Sequence, residues 1–100
     1  MTTSTALQIP QTWVDLNTLS GITKGSTLFV QNVGYPADLI EIYFSDSQPA
    51  ADAKGWVLDQ VKEYYVITGE TETVWARFFK NDRDANLYSR VGYLQVVENV

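Results

Sequence analysis

The spacing that most resembles a chemical site in this chain is Asp82, Asp84 and Asn86, an Asp-x-Asp-x-Asn run within the polar stretch 81–89. Hard cations such as calcium take several oxygen ligands from a flexible loop, and this spacing supplies three. However, Leu87 stands where an EF-hand loop needs glycine, and Tyr93 where it needs a bidentate glutamate. The run therefore reads first as a solvated hairpin loop and only weakly as an ion site. Twelve acidic residues are present, but most fall in expected turns and no spacing joins two of them as a glycosidase pair. The chain has no histidine and no cysteine. That removes imidazole acid–base chemistry, thiolate nucleophiles, zinc fingers and disulfides together. Serine and threonine lack a histidine base or a Gly-x-Ser-x-Gly turn, and no phosphate-cradling glycine motif occurs. The chain is expected to be no enzyme and to hold no cofactor.

A second group of residues is suited to binding. The run Glu72–Lys80 (E-T-V-W-A-R-F-F-K) has strand composition and is apolar on both parities. Side chains alternate across a strand, so Val74, Ala76 and Phe78 point one way and Trp75, Arg77 and Phe79 the other. One set fills a core, and the other needs a second cover. Extending the alternation gives an inner set of Leu28, Val30, Ile40, Ile42, Phe44, Val66, Val74, Ala76, Phe78, Leu94 and Val96. It leaves Phe29, Leu39, Tyr43, Trp75, Phe79 and Tyr93 outside, interleaved with Gln31, Glu41, Arg77 and Gln95. Single domains seldom expose large apolar patches. Two covers are open: the chain's own loops 45–54 and 81–89, or another protein. Interfaces are enriched in aromatics and arginine, so Phe29, Tyr43, Trp75, Arg77, Phe79 and Tyr93 are the interface candidates.

These residues sit on an all-β framework. Strands are expected at Trp13–Leu16, Thr27–Val33, Asp38–Phe44, Trp56–Leu58, Glu63–Ile67, Glu72–Lys80 and Arg90–Val97, with Gly92 as a possible bulge. About seven strands, punctuated by Gly, Pro and Asn turns, predict an antiparallel β-sandwich or small barrel. Short gaps favour hairpins between 27–33 and 38–44, and between 63–67 and 72–80, the latter turning at Gly69. Pro49–Asp52 suits one helical turn. Residues 57–65 carry a competing helical spacing through Val57, Val61 and Tyr64. Residues 1–11, rich in Thr, Ser and Gln, read as a flexible N-terminal arm, and 12–100 as one β domain.

Charge and hydropathy exclude further classes. A net charge of −5, with seven scattered basic residues, argues against nucleic acid. No stretch approaches the ~20 apolar residues of a membrane span. The first residues lack the basic and apolar regions of an export signal, so none is expected. Carbohydrate or cell-surface binding is the rival to protein docking, because sugars stack on open rings and Trp13, Trp56, Trp75 and Tyr64-Tyr65 could supply them.

Several phrases resemble small virion proteins of tailed bacteriophages. They are Trp13-Val14-Asp15-Leu16, Ser20-Gly21-Ile22-Thr23-Lys24-Gly25, Leu28–Gly34, Gln48-Pro49, Gly55 and Val74-Trp75-Ala76-Arg77. The resemblance spans most of 13–97. It implies a non-enzymatic β-sandwich on the particle: a capsid decoration protein, a head fibre or knob base, or a tail adaptor. It also implies self-association, often as trimers, contacts with capsid or tail proteins, and residence in the virion after synthesis in the host cytoplasm. No site residue is carried over by it.

Overall fold

The computed structural model describes residues 6–59, 65–68, 71–81 and 91–99. Within them lie eight strands and one short helix: β1 (Leu7–Ile9), β2 (Val14–Asp15), α1 (Leu16–Ser20), β3 (Thr27–Asn32), β4 (Asp38–Ser45), β5 (Trp56–Leu58), β6 (Tyr65–Thr68), β7 (Thr73–Asn81) and β8 (Gly92–Asn99). They build two four-stranded antiparallel sheets, ordered β1-β8-β3-β6 and β2-β7-β4-β5. The expected all-β sandwich is the fold.

Both expected hairpins are absent, however. β3 pairs with β6 and β8, whereas β4 pairs with β5 and β7, so the chain changes sheet after Asn32. The 33–37 connection is an arch. Gly34 and Tyr35 N–H groups donate to Asn32 Oδ1 and Asp38 Oδ2, and Ala37 takes a positive φ of 70°. Asn32 Nδ2 donates to the carbonyls of Asp38 and Leu58, which fixes the arch to both sheets. β6 and β7 likewise lie in different sheets; Gly69 falls outside the described residues. A short gap predicts that two strands are close, and a sandwich satisfies that across its layers as well as within one.

The N-terminal segment also differs from expectation. Leu7–Ile9, placed above in a flexible arm, pairs with β8, and Ile9 is fully buried. Burying an isoleucine contributes about 1.5–3 kcal/mol, which with the ladder to β8 offsets the cost of ordering this short strand. Phe78 N–H then donates to Pro10 O at 2.7 Å, carrying the chain to the second sheet. Of the strand expected at Trp13–Leu16, only Val14–Asp15 is extended. Asp15 instead caps α1, its Oδ1 accepting from Thr18 N–H at 2.9 Å, and Gly21 ends the helix at φ 76°. The buried Asn17 binds both ways, donating to Ile22 O and accepting from Val74 N–H in β7.

Nine of the eleven expected core side chains are buried: Leu28, Val30, Ile40, Ile42, Val74, Ala76, Phe78, Leu94 and Val96. Phe44 is half-buried at the rim. Val66 is a correction, at 60% exposed, because Ile67 opposes Leu28 and Tyr65 opposes Val30. Directly opposed residues share a face, so Ile67 and Tyr65 turn inward and Val66 outward. Gly92 lies in the ladder opposite Ile9, and the irregularity of register falls instead between Leu39 and Ile40. Residues 56–58 are strand, which overrides the helical spacing there; 60–64 lie outside the described residues.

Candidate functional site

The six interface candidates do not form one patch. Tyr43, Trp75, Arg77 and Phe79 point outward from β4 and β7, whereas Phe29 and Tyr93 point outward from β3 and β8 on the opposite side of the sandwich. Asp82, Asp84 and Asn86 lie outside the described residues.

The β4–β7 face carries its own cover. Glu41 opposes Arg77 and Tyr43 opposes Trp75 in the ladder. Arg77 Nε donates to Glu41 Oε1 at 2.7 Å, with the arginine side chain 15% exposed and the glutamate 3%. The other two guanidinium nitrogens donate to Ala51 O at 2.6 Å and Ala53 O at 2.8 Å, both in the 46–55 loop. Gly55 N–H closes the loop onto Glu41 Oε2 at 2.7 Å. Trp13, buried, lies under the guanidinium at 4.3 Å, tilts against Tyr43 at 5.8 Å, and donates from Nε1 to Ala50 O. Trp75 Nε1 donates to Ser45 O. Every hydrogen-bonding arm of Arg77 is thus used within the chain. The planar fork that made it an interface candidate serves instead as a clasp. Phe79, 44% exposed beside Lys80, and Val57, 45% exposed opposite Glu41, stay open on this face.

The opposite face is different. Phe29 stands in register with Val66 on β6 and Val97 on β8, forming an apolar row across three strands. Gln31 and Gln95 face each other one step along, then Tyr93 beside Gln8. Tyr93 continues into a shallow cleft of about 260 Å³ with Val33, Gly34 and the exposed Tyr35.

Val66 and Val97 were missed as outer residues. The run E-Y-Y-V-I is apolar on both parities, so its own pattern cannot choose a face; its register against Leu28 decides. The cover by 46–55 was the harder part to see. Outward Glu41 and Arg77 on adjacent strands hinted at a pair, but nothing in Pro49-Ala50-Ala51 announces that backbone carbonyls will meet it.

Among the described residues, no group of three acidic residues could hold a metal. Tyr65 has a shifted titration. Its hydroxyl donates to Asp59 Oδ1 at 2.7 Å, and this bond, with burial, holds the phenol above its ordinary range.

No protein-family model, curated protein or solved structure matches the chain.

Proposed function

We propose that this chain is a non-enzymatic structural protein of a bacteriophage particle. It self-associates and docks on capsid or tail proteins. The sequence resemblance to small virion proteins motivates the particle, and one observation carries the docking: the apolar row Val66–Phe29–Val97 on the outer face of the β1-β8-β3-β6 sheet, with Val66 60% exposed and Phe29 and Val97 half-buried. Contiguous apolar rows of this kind mark interaction surfaces. Glutamines flanking the row supply a polar rim, the arrangement expected of a docking patch. The docking face therefore shifts from the Trp75–Arg77–Phe79 side, where the chain shelters most of its own rings, to the Phe29 side.

Mass spectrometry of gradient-purified virions tests the location. Peptides of this chain should band with the particle at a fixed ratio to the major capsid protein; their confinement to the soluble lysate would contradict the proposal.

A carbohydrate- or cell-surface-binding module is the second reading. Trp13 and Trp75 are covered and hydrogen-bonded within the chain, and Tyr64 lies outside the described residues. Trp56, 68% exposed, is the ring that keeps this reading open.

A further inference from the structure

Of the three tryptophans, two are fastened by their indole N–H to carbonyls of the chain. Trp56 makes no such bond among the described residues, and its ring stands open at the start of β5. Its position is nevertheless fixed. Phe44 meets it edge-on, with centroids 5.5 Å apart and planes at 83°. The preceding Gly55 is pinned by its N–H to Glu41 Oε2 and lies so close to β4 that a Cβ there would sit 2.0 Å from Ile42 O. Trp56 is thus an exposed ring on a rigid base, which reduces the ordering cost of binding.

Beside it lies a cleft of about 190 Å³, lined by Ile42, Tyr43, Phe44, Lys54, Gly55 and Trp56. This is below the roughly 300–1,000 Å³ of drug-sized pockets and suits one small ring. Lys54 is exposed and makes no ion pair or hydrogen bond among the described residues. Its ammonium repels a cationic ligand, which sets aside the quaternary-ammonium chemistry that open aromatics otherwise attract. The cleft therefore offers a flat π-face, a free indole N–H and one positive charge. A sugar acid presents the complement: an apolar C–H face, ring hydroxyls and a carboxylate. A nucleotide would also stack, but the chain's net charge of −5 opposes a polyphosphate backbone.

We infer that the Phe44–Trp56–Lys54 cleft binds a carboxylate-bearing sugar residue of an otherwise neutral glycan, stacked on Trp56 with its carboxylate on Lys54. The inference rests on the second reading above and is independent of docking, because the Val66–Phe29–Val97 row lies on the other sheet.

The test is titration of the intact chain, followed by saturation-transfer NMR, with sialyllactose, a hyaluronan tetrasaccharide, lactose and a short oligothymidylate. An acidic glycan should bind saturably in the millimolar range, about tenfold more tightly than lactose. Lys54→Gln should bring it down to the lactose level, and Trp56→Ala, at an exposed position, should abolish both with the melting temperature little changed. Equal binding of lactose and the acidic glycans, or indifference to Lys54→Gln, overturns the acidic preference while sparing the sugar reading. No saturable binding of any sugar overturns both. Tighter binding of the oligothymidylate overturns the inference in favour of nucleotide stacking.

Discussion

Arg77→Met is the perturbation that bears most directly on how the β4–β7 face is closed. The substitution keeps most of the side chain's length and removes its charge. Glu41 is then left 3% exposed with Gly55 N–H as its remaining partner shown here, and the carbonyls of Ala51 and Ala53 lose their donor. Removing one member of a buried ion pair costs about 3–5 kcal/mol, because the stranded charge stays desolvated. The 15% exposure of the arginine places this case at the lower end, about 3–4 kcal/mol. At roughly 4–8 °C per kcal/mol for a domain of this size, the midpoint should fall by about 12–30 °C. Against a total stability of about 5–15 kcal/mol, the variant should still fold at low temperature. Urea unfolding followed by tryptophan fluorescence measures the loss. Trypsin gives a local reading: Lys54 is exposed, yet the bond after it is held by Ala53 O on one side and Gly55 N–H on the other. The variant should be cut first at Lys54, and the wild type should resist there. A variant within about 1 kcal/mol of wild type, with Lys54 equally resistant, would refute the clasp.

Further outcomes follow from the same geometry. Val66→Lys should be near neutral for stability, whereas Ile67→Lys, which buries an unpaired ammonium against Leu28, should cost more than about 4 kcal/mol by urea unfolding. Gly55→Ala should destabilise more than Gly92→Ala, by urea midpoint. The first methyl meets the fixed carbonyl of Ile42 at 2.0 Å, the second the movable Cδ1 of Ile40 at 2.2 Å. Asn17→Ala should lose about 2–4 kcal/mol in the same assay, since it strands both Val74 N–H and Ile22 O. Tyr65 gives a pH dependence. Its folded phenol titrates above the unfolded value of about 10, so between the two the native state binds more protons and stability falls as pH rises. Asp59→Asn should remove part of that alkaline loss, read from thermal melts across the alkaline range.

The sequence pattern carried the class of fold and most of the core because alternation is a local property: Leu28/Val30, Ile40/Ile42 and Val74/Ala76/Phe78 declare their faces without knowing their neighbours. Pairing is not local. A short turn at Gly34–Pro36 looks the same whether the next strand lies alongside or crosses to the facing sheet, and the Asn32–Asp38 bonds that make the arch are visible only in three dimensions. Leu7-Gln8-Ile9 does alternate, but three residues within a Thr- and Gln-rich segment give too short a signal. The outer residues were recognisable as too apolar for solvent. What covers them depended on backbone carbonyls in 46–55, which no side-chain pattern encodes.

The most direct measurement of the docking proposal is sedimentation velocity of the purified chain over a range of concentrations, with Val66→Lys alongside. The proposal expects the wild type to assemble and the folded variant to sediment as a single subunit. A wild type that stays monomeric at the highest concentration, or an assembly indifferent to Val66→Lys, would contradict it.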